Sequence, residues 1–245
     1  NANLKKLKKK SIYYWSPFLT PIATCKAVIN SAYSLNKFGK KYDATIMNLY
    51  GEFNQHISEI NNKKIKLLNF YRLNIIKYLP KYGKVPSRIS YIIFFLLGFL
   101  PLLRILKKNP PDYIIVHLIT SLPLILLSIF NFKTKFILRI SGLPRLNIFR
   151  KLLWKLALKK VYIITCPTQQ TSEFIKSLKL CDENKLKVLF DPIIDVSEIN
   201  KNKKEKIDTN DNFYIAIGRL TKQKNFLFLC KCFKEVKKIY PKIKL

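Results

Sequence analysis

Residues 213–225 read Phe213-Tyr-Ile-Ala-Ile-Gly218-Arg219-Leu220-Thr221-Lys222-Gln223-Lys224-Asn225. A short apolar run rich in Ile, Phe and Tyr predicts a buried strand over 213–217. Gly218 ends it, and Arg219 and Lys224 follow five residues apart. A helical pattern then begins, with apolar Phe226, Leu227, Leu229, Cys230, Phe233 and Val236. A strand, a tight turn and two cations at a helix start suit a diphosphate. Free N–H groups and the positive helix end favour an anion. Arginine forks onto phosphate oxygens and lysine adds a point charge. A basic surface loop after a strand is the plainer alternative.

Working back from this segment, strand and helix patterns alternate. Strands are expected at 11–15, 44–50, 65–70, 113–116, 136–140, 161–165 and 187–190. Helices are expected at 25–38, 88–106, 122–130, 146–158 and 169–178. This alternation predicts a parallel sheet with helices on both faces. The polar run 198–211 carries charges of both signs and has neither period, so 191–211 is the expected linker. The organisation is therefore a basic tail over 1–10, a Rossmann-like α/β domain over 11–190, the linker, and the first βα unit of a second Rossmann-like domain over 212–245. A start at Asn1 and a stop at Leu245 within a helical pattern read as a fragment.

The net charge is +32, from Lys far more than Arg. Such a charge either attracts anionic lipid or a polyanion, or reflects compositional drift. Readers of nucleic acid lean on Arg forks, so nucleic acid is not the expected partner. Five Cys without a Cys-x-x-Cys suit reduced thiols in the cytosol. Two His at no metal-ligand spacing argue against zinc, and no metal is expected. Six scattered Gly build neither a dinucleotide fingerprint nor a P-loop. The apolar runs 91–103 and 113–130 are near or below spanning length, the first interrupted by Gly98 and Pro101. The basic start followed by an apolar run mimics a signal peptide, but Pro17 and Pro21 break it.

Four loops fall at the carboxyl ends of expected strands, where open α/β sheets bind ligands. The loop 15–24 offers the hydroxyls Ser16, Thr20 and Thr24, with Thr24 also a candidate N-cap; a Pro-stiffened turn serves as well. His117 ends the strand 113–116 and either hydrogen-bonds a ligand or is a core histidine. Arg139, Ser141 and Gly142 follow the next strand. Gly142 admits a positive φ or close ligand approach, and Arg139 either meets an anion or is solvated. Asp191-Pro192-Ile193-Ile194-Asp195 ends the last strand of the first domain. The helix 146–158 is amphipathic, with Leu146, Phe149, Leu153, Leu156 and Ala157 on one stripe and Trp154 among the cations. It either covers the sheet or meets a membrane surface.

These motifs, in this order, resemble family 4 glycosyltransferases of the cell-envelope polysaccharide type, which have the GT-B fold. Gly218-Arg219-Leu220-x3-Lys224-Asn225 is similar to the signature opening that family's C-terminal domain. The resemblance implies that Arg219 and Lys224, with Gly218, hold the diphosphate of a nucleotide sugar, and that His117 faces the transferred sugar. It implies transfer from a nucleotide-diphosphate sugar to a glycan or lipid-linked acceptor, retention at the anomeric carbon, and no cofactor. It also implies a cytoplasmic enzyme, peripheral on the inner face of the plasma membrane. The chain departs from the family in lacking a Gly-rich loop at 15–24. The family's Glu-x7-Glu element has no counterpart up to Leu245, so residues 1–245 alone are expected to be inactive. The rival reading is a non-enzymatic basic protein that binds membrane or nucleic acid.

Overall fold

A computed structural model describes residues 8–20, 23–80, 84–144, 146–204, 213–218, 220–222 and 224–245. The chain divides into two compact units, Asn1–Asp195 and Val196–Leu245. The larger is a seven-stranded parallel sheet. Its strands are β1 (Lys10–Trp15), β2 (Tyr42–Asn48), β3 (Lys66–Asn69), β4 (Tyr113–Val116), β5 (Lys135–Arg139), β6 (Ile163–Cys166) and β7 (Leu186–Val188). The order across the sheet is β3-β2-β1-β4-β5-β6-β7. The helices between them are α1 (Ala23–Phe38), α2 (Ile57–Asn62), α3 (Lys84–Lys108), α4 (Ser121–Ile129), α5 (Ile148–Ala157) and α6 (Gln169–Ser177). This is the expected Rossmann-like α/β fold.

Winding runs outward in both directions from the β1–β4 pair, and right-handed crossovers then fix which face each helix covers. Ile12, Tyr14, Ala44 and Ile46 pack under α1 and α2 in one core. Trp15, Met47, Val116, Phe136, Leu138 and Ile164 pack under α3 to α6 in the other. On the α1 side, Tyr113, Ile115, Ile137 and Ile163 of β4 to β6 line an open groove of about 440 Å3. Caps close two helices as their sequences imply: Asn147 Oδ1 accepts Arg150 N–H at 2.8 Å, and Thr168 Oγ1 accepts Thr171 N–H at 3.1 Å.

α3 corrects the reading of the first apolar run. It is 25 residues long, and its Arg88–Lys108 stretch is long and apolar enough to cross a membrane by length and composition. Gly98 and Pro101 do not interrupt it. Proline removes the N–H that would reach the carbonyl four residues back. Tyr71 Oη donates to that carbonyl, Leu97 O, at 2.8 Å. Gly98 lets the Tyr50 ring approach: a Cβ there would sit 2.5 Å from Tyr50 Oη. The Tyr50 hydroxyl donates to Phe94 O, and its ring stacks on Phe94 at 4.0 Å.

α5 also differs from the expected stripe. Trp154 is buried with Ala157, whereas Phe149 and Leu156 face solvent. The large indole ring takes the inward position beside α4, and the stripe rotates accordingly. α1 starts at Ala23, so Thr24 lies inside its first turn and is not the cap.

The second unit holds α7 (Val196–Asn202) and α8 (Phe226–Ile239). A helix thus occupies part of the segment expected to lack any regular period. Residues 213–217 do not form the expected buried strand. They are exposed, and Phe213 makes one parallel bridge, to Lys244. Strand propensity needs a neighbouring ladder and a covered face, and the described residues of this unit supply one bridge.

Candidate functional site

β1 and β4 are neighbours whose connections leave in opposite directions, which makes the crevice at their carboxyl ends the switch point of the sheet. The loops after these strands are tied together. His117 N donates to Trp15 O at 2.9 Å, and Trp15 Nε1 donates to Ile119 O at 3.2 Å. Ile119 holds φ at 46°, a left-handed conformation costly for a β-branched residue. Such strain persists where surroundings over-determine it and clusters at ligand sites.

Ser16 directly follows β1, His117 directly follows β4, and Arg139 is the last residue of β5. All three side chains are buried. Each carries a buried polar atom without a hydrogen-bond partner: Ser16 Oγ, His117 Nδ1 and Arg139 Nη1. Buried polar groups are nearly always paired, so three such atoms need an explanation. Adjacent strands lie about 5 Å apart, which gathers the three at one end of one sheet.

Burial, then the nearby Arg139 cation, lower the His117 imidazole to about 3. It is neutral around pH 7. It offers one ring donor and one ring acceptor rather than a charge, and it is a weak base. Its ring lies 6.0 Å from that of Tyr14, whose hydroxyl shares a 2.7 Å hydrogen bond with Ser31 Oγ.

Arg139 is neither solvated nor without a carboxylate. Its Nη2 and Nε donate to Asp191 Oδ1 at 2.6 and 3.1 Å. Asp191 belongs to the Asp-Pro turn, so the turn supplies the counter-charge that lets a guanidinium stay 4% exposed. Asn30 Nδ2 of α1 holds the same turn by donating to Pro192 O at 2.9 Å. His117 and Arg139 line two cavities. One, of about 310 Å3, is bounded by Thr120, Ser141, Gly142 and Trp154. The other is the groove described above, which reaches Asp191.

Ser141 and Gly142 are exposed at the rim, and Thr20 is half-buried in the β1 loop. Of the two uses expected for Gly142, a positive φ is not taken: the positive-φ glycine among the described residues is Gly51. A Cβ on Gly142 would meet nothing within 4 Å, so the residue leaves that wall of the cavity open.

In the second unit, Arg219 lies outside the described residues. Gly218 and Lys224 come together: a Cβ on Gly218 would lie 3.5 Å from Lys224 Cγ. Lys224 N donates to Thr221 O at 3.0 Å, and Asn225, at φ 49°, turns the chain into α8. Lys224 thus stands one residue before the N-cap of α8.

The sequence reading gave no role to two carboxylates, one half-buried and one buried. One is Asp191. The other is Glu52, just beyond β2, whose carboxylate accepts Tyr50 N–H at 2.7 Å and Leu49 N–H at 3.2 Å. Burial pushes it up to about 7 against those bonds. A Gly-Glu pair after a strand has no pattern that announces it. Among the described residues no group of three or more His, Cys, Asp or Glu could hold a metal ion.

No protein-family model matches the chain. An uncharacterized glycosyltransferase of Methanocaldococcus jannaschii is 29% identical over 231 residues, covering 86% of this chain and 53% of the relative. The chain thus spans about half the length of that curated relative. A glycosyltransferase from Rickettsia africae ESF-5 superposes with a TM-score of 0.59 at 15% identity, covering 94% of this chain and 58% of its own. A putative UDP-N-acetylglucosamine 2-epimerase from Listeria monocytogenes gives 0.60 at 13%, covering 96% and 61%. A UDP-N-acetylglucosamine 2-epimerase from Neisseria meningitidis, bound to UDP-GlcNAc, gives 0.55 at 16%, covering 97% and 65%. The chain has a glycosyltransferase-like GT-B fold of the kind these transferases and epimerases share.

Proposed function

We propose that the chain belongs to a family 4-type, retaining glycosyltransferase that moves a sugar from a nucleotide-diphosphate sugar to an envelope glycan or lipid-linked acceptor. The observation that supports this most is the placing of Ser16 Oγ, His117 Nδ1 and Arg139 Nη1, buried and unpaired, at the carboxyl ends of the neighbouring strands β1, β4 and β5. A hydroxyl, a neutral imidazole and a guanidinium N–H together suit a polyhydroxylated ligand. His117 accordingly orients a sugar hydroxyl by hydrogen bonding and does not act as the proton acceptor. Lys224 and Arg219 neutralise the departing diphosphate, where charge develops most. The epimerases among the neighbours support a second reading, in which the same donor is isomerised with no acceptor.

The test is saturation-transfer NMR of UDP-glucose and UDP-N-acetylglucosamine with the chain. Weak binding is expected, with sugar-proton contacts reduced in His117→Ala and overall binding reduced in Arg219→Ala and Lys224→Ala. Unchanged spectra in all three variants would sink the assignment. Epimerised UDP-sugar in the same tube, without added acceptor, would favour the second reading.

A further inference from the structure

We propose that the outward face of α3, extended by that of α5, is a docking surface for an anionic lipid bilayer. α3 has two opposite stripes. Ser90, Phe94, Gly98, Leu102 and Leu106 face inward and are buried. Val85, Ile89, Ile92, Leu96 and Leu100 face outward and are between 49% and 66% exposed. At 1.5 Å per residue the outward stripe runs about 22 Å. An ordinary sheet-covering helix carries charge on that side, and a contiguous apolar face marks an interaction surface. The inward stripe is held along its length, with Ser90 donating to Pro80 O, Phe94 stacked on Tyr50 and Gly98 against Tyr50 and Leu122, so the helix meets a bilayer lying flat rather than crossing it.

α4 packs between α3 and α5, so the three form one layer with a common outer side. On α5, Ile148 and Phe149 are 84% and 83% exposed, beside Arg150, Lys151 and Lys155. Arg88 lies beside the start of the α3 stripe, and Arg104, Lys107 and Lys108 follow its end. Between Glu59 and Glu173 the sequence holds 20 Lys and Arg against one acid, Asp112. Asp112 is already engaged by Ser11 N and Oγ, at 2.7 and 3.0 Å.

This charge complements an anionic leaflet and repels a second copy of the same face. Nucleic acid would contact the cations but gain nothing from five aliphatic side chains in a row. The surface stands whether or not the chain transfers sugar.

Co-sedimentation of the 245-residue chain with vesicles of phosphatidylglycerol and phosphatidylcholine, against phosphatidylcholine alone, tests it. The double variant Ile92→Glu/Leu96→Glu alters exposed positions, and circular dichroism checks that it folds. Lys201→Gln/Lys204→Gln, on and just after α7, lowers the net charge by the same two units. Binding to the anionic vesicles is expected to fall about tenfold or more in the first variant and less than about twofold in the second. Equal losses in both, or none in the first, would overturn the proposal in favour of bare charge attraction. So would equal binding to both vesicle types, or a dimer that Ile92→Glu/Leu96→Glu dissociates while vesicle binding persists.

Discussion

His117 and Glu52 give this protein a pH profile that neither would give alone. His117 in the folded chain is lowered from 6.5 to about 3. Below pH 6.5 the unfolded chain takes up a proton that the folded chain refuses, so stability is lost as pH falls from 6.5 toward 3. At about 1.4 kcal/mol per pH unit the loss approaches 5 kcal/mol. Glu52 is raised from 4.5 to about 7, so the folded chain holds a proton that the unfolded chain has released. Its stabilisation is complete below pH 4.5 and is lost as pH rises to 7, a change of about 3 kcal/mol. Between pH 4.5 and 6.5 the two slopes are equal and opposite. His117→Gln should unmask the falling limb, with stability dropping as pH rises from 4.5 to 7. Glu52→Gln should unmask the other limb, with stability dropping as pH falls from 6.5 to 3. Urea denaturation followed by tryptophan fluorescence measures this, because Trp15 and Trp154 are both buried in the larger unit. Carboxylates elsewhere contribute to every curve and cancel in the differences. A wild-type-minus-His117→Gln difference that stays within about 1 kcal/mol from pH 3 to 6.5 would refute the reasoning.

Three further outcomes follow from particular contacts. Asp191→Ala leaves the buried Arg139 guanidinium without its carboxylate and should cost about 2–3 kcal/mol by urea denaturation, with Arg139→Met/Asp191→Leu recovering most of it. Gly98→Ala places a Cβ 2.5 Å from Tyr50 Oη and 2.9 Å from Leu122 Cδ2, so it should cost about 1–3 kcal/mol and lower Tm; Gly142→Ala, into open space, should stay within about 0.5 kcal/mol. Tyr71→Phe should cost about 1–2 kcal/mol by removing the donor to Leu97 O, and the cost should shrink in a Pro101→Ala background, where the restored amide reaches that carbonyl.

The elements of the larger unit were legible because helix and strand periods are written into neighbouring residues. The strand Tyr113–Val116 and the helix from Gln169 begin where the pattern places them. His117 and Arg139 were legible as polar residues at strand ends. Their state was not. The partner of Arg139 lies 52 residues away in the Asp-Pro turn, and no local pattern joins the two. Gly98 and Pro101 read as breaks in an apolar run because the groups that accommodate them, Tyr50 and Tyr71, arrive from another part of the chain. The inward turn of Trp154 on α5 was set by the space beside α4, not by the spacing of leucines.

By itself, then, the sequence determined the alternation of strands and helices, the strong positive charge and the residues at the carboxyl ends. Each follows from local spacing or from a count. Tertiary structure alone decided that 213–217 is exposed with a single bridge at Phe213, that α3 shows an apolar face to solvent, and that three polar atoms lie unpaired at neighbouring strand ends. Each of these depends on which groups from distant segments come within contact range, and spacing along the chain carries no record of that.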